Sequence, residues 1–279
     1  MRLLAFVAAI GLTFVSTSYG QEQTSSIQLD DAKDISILDR FHGSLVLEYS
    51  TNTQNYSSEQ KSESVATYIA PSVDLGKDWT VSALFGFSDE RRSPDPVRAT
   101  NTKVSLSIPK IALNEKLSLG NKANGYAPTN EKQRIDESYR GSAELESKLK
   151  LATRILRAPF ETYYQIGGRQ NFHQFDRSHN GVQNEKYRVT HTIGVSVEPI
   201  KKLTMSISGT FQQGISYFNR VREKYSATES LGVAVLSNLS VEIGHTNGDN
   251  AFGPDGKTSN ISIYDKRTSQ YFGNLNFSF

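Results

Sequence analysis

The sequence predicts an all-β chain: a transmembrane up-and-down antiparallel β-barrel of twelve strands with a polar interior. Three observations point there. Side-chain polarity alternates with a period of two from about residue 41 onward, and no helical 3.6 period of any length competes. Short connections alternate with long polar ones. The composition combines 14 Phe and 13 Tyr, too many for a disordered chain, with a negative mean hydropathy that leaves no room for several apolar helices. The 279 residues include no Cys, which excludes a disulfide scaffold and any thiolate metal site. A net charge of +2 is too small to suggest nucleic acid as a partner.

The chain opens with an address. Arg2 supplies positive charge, Leu3–Val15 is a largely apolar run, and Ser18 and Gly20 provide small residues where a signal peptidase would cut. Residues 1–20 therefore read as a secretory signal peptide. Residues 21–40, with Asp30, Asp31, Asp34 and Asp39, are acidic and lack alternation. They read as a solvated periplasmic segment, with a plug in the lumen as the other option.

Residues 41–279 form the barrel. Leu45, Leu47 and Tyr49 alternate with Ser44, Val46, Glu48 and Ser50 in the first strand. Trp79, Val81, Ala83, Phe85 and Phe87 alternate with Thr80, Ser82, Leu84, Gly86 and Ser88 in the third. Val189, His191, Ile193, Val195 and Val197 do the same against Thr190, Thr192, Gly194 and Ser196 in the eighth. Twelve such segments fall near 42–50, 65–75, 78–88, 99–109, 116–126, 138–151, 159–172, 187–198, 203–213, 227–236, 239–246 and 268–279. Five short turns and six long loops join them in strict alternation. An even strand count puts both ends of the barrel on the short-turn side.

A soluble β-sandwich would also alternate, but its outer face should be rich in Lys and Glu. Here the face opposite the apolar one is dominated by Ser, Thr, Gly, Asn and Gln with charges interspersed, as in a wet lumen. The last nine residues are the most specific signal. Phe279, Phe277, Leu275, Gly273 and Tyr271 occupy every second position of the final strand. This resembles the C-terminal signal of bacterial outer-membrane β-barrel proteins, of the porin-like kind, in which a terminal Phe follows apolar residues at alternate positions. The resemblance implies an outer-membrane location, contact with outer-membrane lipid, and reading of Phe279, Phe277, Leu275 and Tyr271 by the barrel assembly machinery. It also implies short periplasmic turns, long outer loops and an interfacial aromatic girdle, for which Tyr49, Trp79, Tyr139, Phe160, Tyr187 and Tyr271 are the candidates. In lipid every backbone polar group must be paired, so the last strand is expected to close onto the first.

The parity of the strands then assigns a lumen. Arg140, Arg169 and Arg188 fall near the outer mouth on neighbouring strands and point inward, and Lys103 and Lys122 extend the arc. Lower down, Lys148 and Lys150 face Glu161. Inward acids include Glu48, Glu144, Glu146, Glu198 and Glu242. Fixed charge of this kind selects ions or charged solutes, and the alternative is that the charges pair with one another to brace the barrel. Inward Tyr68, Tyr126, Tyr163 and Phe272 are candidates to narrow a twelve-stranded passage.

The function expected is passive diffusion of small hydrophilic solutes, with a preference for anions or acidic sugars. The alternative is a closed structural or surface-binding barrel. An outer-membrane hydrolase is a weaker third reading. His245 near Ser269, and His173 with Asp176, are the pairs it would use, and no nucleophile–base–orienter set is evident. No catalytic residue, metal site or cofactor is assigned.

Overall fold

The computed structural model describes residues 40–54, 60–91, 97–253 and 255–279. The leader read at 1–20 and the acidic segment up to residue 39 lie outside the described residues. The elements are β1 (Phe41–Asn52), β2 (Glu63–Gly76), β3 (Trp79–Glu90), β4 (Val97–Ala99), β5 (Thr102–Ala112), β6 (Leu117–Ala127), α1 (Glu131–Asp136), β7 (Tyr139–Ile155), β8 (Ala158–His173), β9 (Glu185–Ile200), β10 (Leu203–Ser216), β11 (Val221–Ala234), β12 (Leu239–Asn250) and β13 (Gln270–Ser278). Strand β3 pairs with both β4 and β5, which are two pieces of one wall strand. The thirteen segments therefore make a closed antiparallel barrel of twelve strands.

Closure runs through β1, which pairs with β2 on one side and β13 on the other. Leu45 lies opposite Phe277, and the backbones of Gly43 and Phe279 exchange bonds of 2.8 and 3.0 Å beyond the ladder. Among the described residues each long wall strand is paired on both sides, so its backbone partners lie within the wall, while the short β4 pairs with β3 alone.

Burial is inverted relative to a water-soluble protein. Leu145, Ile193 and Ile243 on the outer face are 69%, 60% and 58% exposed, whereas inward Asn124, Glu144 and Glu242 are buried. An apolar belt this exposed would be costly in water, at about 25 cal/mol per Å². A bilayer removes that cost, and the polar residues gather inside.

Local chemistry explains the joints. The turns at Lys77–Asp78 and Leu156–Arg157 have positive φ at both residues (51° and 62°, 50° and 73°), the geometry whose twist matches that of the flanking strands. Pro109, which cannot donate to a ladder, sits within a register shift between Ile108 and Ile111. A second shift falls in β7 between Tyr139 and Gly141, where Gly141 takes φ 139° and Arg140 is the extra residue.

Two sequence boundaries move. Strand β11 begins at Val221 rather than near 227, so the segment expected as a long loop reduces to a tight connection at Tyr217–Arg220. Strand β12 likewise continues to Asn250. Charged residues such as Arg222, Glu223 and Lys224 look like loop, but above the apolar belt a strand meets water on both faces and still forms its ladder with β10.

Candidate functional site

The inner wall follows from register. Glu144 lies opposite Arg169, Lys122 opposite Glu146, Lys148 opposite Gln165, and Arg169 opposite Arg188. Paired residues in a ladder share a face, so these side chains form one inward patch across β5 to β9.

Its centre is a tight polar knot. The Arg169 guanidinium donates through Nε and Nη2 to the two Glu144 carboxylate oxygens at 3.2 and 3.1 Å. The Tyr126 hydroxyl donates to the same carboxylate at 2.5 Å, and Asn124 does so at 3.3 Å. The guanidinium also lies over the Tyr126 ring, 3.9 Å from its centre. A bidentate, stacked arginine in a low-dielectric wall is held in one geometry. Around it, Lys103 pairs with Glu146 at 3.7 Å, Lys150 with Glu161 at 2.6 Å, and Arg188 with Glu185 at 2.8 Å.

Most of the basic residues singled out in the sequence are therefore neutralised in place. Two are not. Lys122 and Lys148 form no ion pair within 4 Å among the described residues, and Lys148 lies over the Tyr163 ring at 3.9 Å. Further up, Arg222 and Lys224 also face inward, opposite Gly214 and Gln212. Apolar alternation stops short of these two, so the sequence pattern alone places them in a loop. Extending the parity of Ser226, Thr228 and Ser230 upward would have found them.

Arg140 is a correction. Strand parity predicts it inside the arc, but the bulge at Gly141 breaks the parity of β7 just below it. Its side chain is exposed and donates to Gln174, on the loop beyond β8, and it does not join the Glu144–Arg169 knot. The same bulge turns Tyr139 away from the girdle. That ring is buried, packs edge-on against His173 at 5.5 Å, and its hydroxyl is 2.8 Å from Ser142.

The opposite wall differs. In a ring of twelve strands, β7 faces β13, six places away. There Glu48 and Glu242 flank Asn274 across β1, β13 and β12, and Asn274 donates to Glu242 at 3.3 Å. The lumen thus carries its basic residues on one side and an acidic pair on the other.

The inward aromatics lie flat on the wall. A Cβ on Gly194 would stand 2.5 Å from the Tyr163 ring, and one on Gly86 would stand 2.5 Å from Tyr68. The absent side chains are what let the rings press against the sheet, so the rings line the passage rather than span it.

The histidines considered for hydrolysis have other neighbours. His245 Nδ1 is 3.3 Å from Glu229, with Tyr264 and Tyr271 beside the ring, and Ser269 Oγ accepts the Asp265 amide at 3.0 Å. His173 packs between Tyr139 and Tyr217.

Fold and site together define a class: a closed twelve-stranded barrel with an apolar outer belt and a charged, asymmetric lumen. No family model matches the chain, and no curated protein sequence does. Solved structures share its fold. It is similar to the COG4313 outer membrane channel from Pseudomonas putida F1, with a TM-score of 0.56 and 11% identity over 86% of this chain and 95% of that one. It is similar to the NanC porin, with a TM-score of 0.52 and 11% identity over 85% and 98%. It is also similar to the KdgM porin in complex with disordered oligogalacturonate, with a TM-score of 0.51 and 10% identity over 85% and 99%. At such identities the likeness establishes the barrel itself.

Proposed function

We propose that the protein is an outer-membrane channel for passive diffusion of small hydrophilic solutes, with a preference for anions and acidic sugars. The observation that carries this is the inner face of a closed barrel. On β5 to β11, Lys103, Lys122, Lys148, Lys150, Arg169, Arg188, Arg222 and Lys224 outnumber Glu144, Glu146, Glu161, Glu185 and Glu198. An excess of fixed positive charge raises the local concentration of anions. The porin solved with oligogalacturonate supports the same direction, since that ligand is an acidic sugar chain. The signal-peptide pattern read in residues 1–20 and the alternation of the terminal strand support a reading of export and insertion into the outer membrane.

The ion pairs divide the labour within the lumen. Arg169, Lys103, Lys150 and Arg188 brace the wall against their glutamates, and selectivity rests on Lys122, Lys148, Arg222 and Lys224. Conductance across a planar bilayer tests the channel, and reversal potentials in a salt gradient test the preference. A barrel with no stepwise conductance would be a closed structural or surface-binding one.

A further inference from the structure

The outer ends of β7 and β8 carry a second basic site. Helix α1 and the loop 174–184 border a half-open cavity of about 420 Å³ lined by Arg134, Arg140 and Arg177, with His179, Phe175 and Asp136. That volume suits a small ligand.

The cavity is built, not a chance gap between mobile loops. The His179 amide donates to the Asp136 carbonyl at 2.6 Å, and the Gln174 amide donates to the Ser138 carbonyl at 2.9 Å. Buried Asn184 ties the two halves together, donating to the Glu137 and Phe175 carbonyls at 2.8 Å each. The bulge that takes Arg140 out of the lumen series delivers it here.

Its charge is open. Arg140 and Arg177 form no ion pair among the described residues, and Arg134 has only the exposed Glu131, 3.6 Å away. Asp136 is the one acid in the lining. Arg177 is steadied over the Phe218 ring at 4.9 Å, which leaves its fork of donors free. The Phe175 backbone is pinned at both its amide and its carbonyl, while the residue as a whole is 61% exposed and lines the cavity. Planar guanidinium groups match carboxylates, and an exposed aromatic face suits the apolar face of a sugar ring.

We propose that this cavity is a capture site for a carboxylated oligosaccharide, standing outside the lumen on the strands that carry its basic wall. Passage onward from the site rests on the channel reading, whereas binding at the site does not.

The test is calorimetric titration of the full-length protein in detergent with trigalacturonate, with neutral maltotriose as control. Wild type should bind trigalacturonate measurably more tightly than maltotriose. Arg140→Gln with Arg177→Gln should weaken that binding by about ten-fold or more, since each lost group removes a charge-assisted bond. Lys201→Gln, on the exposed turn between β9 and β10, should leave it unchanged. Arg177→Gln alone lies on the loop, leaves the strands untouched, and should show a part of the same loss if the double variant folds poorly. The proposal is overturned if trigalacturonate binds no better than maltotriose. It is overturned too if Lys201→Gln weakens binding as much as the rim variants do, or if a diphosphorylated lipid A preparation displaces trigalacturonate at lower concentration. Binding at the rim by a protein that shows no conductance would refute the channel and leave the site standing.

Discussion

Arginine lives two different lives in this barrel. Arg169 in the wall is clasped by Glu144, stacked on Tyr126 and only 18% exposed. Arg140 and Arg177 at the rim are exposed and form no ion pair among the described residues. The difference is one of solvation. A charge taken out of water needs a partner to offset its desolvation, whereas a charge at the rim keeps its water until a ligand replaces it. Basic residues legible as a single arc in the sequence thus split into a bracing set and an available set.

The sharpest way to break this comparison is to remove the partner. Glu144→Gln leaves Arg169 without its carboxylate and should cost about 3–5 kcal/mol of unfolding free energy. Arg140→Gln should stay within about 0.5 kcal/mol of wild type. Denaturant unfolding in detergent micelles reads both, and equal effects would erase the distinction. Next in size is the contrast between the two faces of β9. Ile193→Arg places a charge on the apolar belt and should cost about 2–4 kcal/mol if the site lies near the bilayer midplane. Its neighbour Thr192→Arg points into the lumen and should fold almost as well as wild type. Smaller still is Gly194→Ala, whose new methyl must displace the Tyr163 ring held beneath Lys148. A loss of about 1–3 kcal/mol is expected from such overpacking, together with a lower single-channel conductance as the ring is pushed toward the axis. An unchanged conductance would mean the ring finds another place on the wall.

Much of this was legible in the residues. The period of two marks strands such as Val189–Val197 because one face meets lipid and the other meets the lumen. The same parity places Glu144, Arg169, Lys148 and Glu161 inside, where the register puts them. Parity fails where a strand gains a residue. One extra position at Arg140 reverses the faces above it, and Gly141 alone hints at the bulge. Pattern reading also fails above the belt, where Arg222–Lys224 continue β11 although no apolar residue alternates with them. Which cations would be neutralised was hidden for another reason. Pairing depends on neighbours across the sheet, and Glu146 with Lys103 or Glu185 with Arg188 becomes visible only once register and side-chain reach are known.

The central claim is that unpaired lumen lysines make the barrel an anion-preferring channel. Its most direct test is the reversal potential of single channels in a tenfold KCl gradient, for wild type and for Lys122→Gln combined with Lys148→Gln. Wild type should show stepwise conductance with anion preference, and the double variant a clear shift of the reversal potential toward zero. A reversal potential of cation sign in wild type, or one left unmoved by both substitutions, would contradict it.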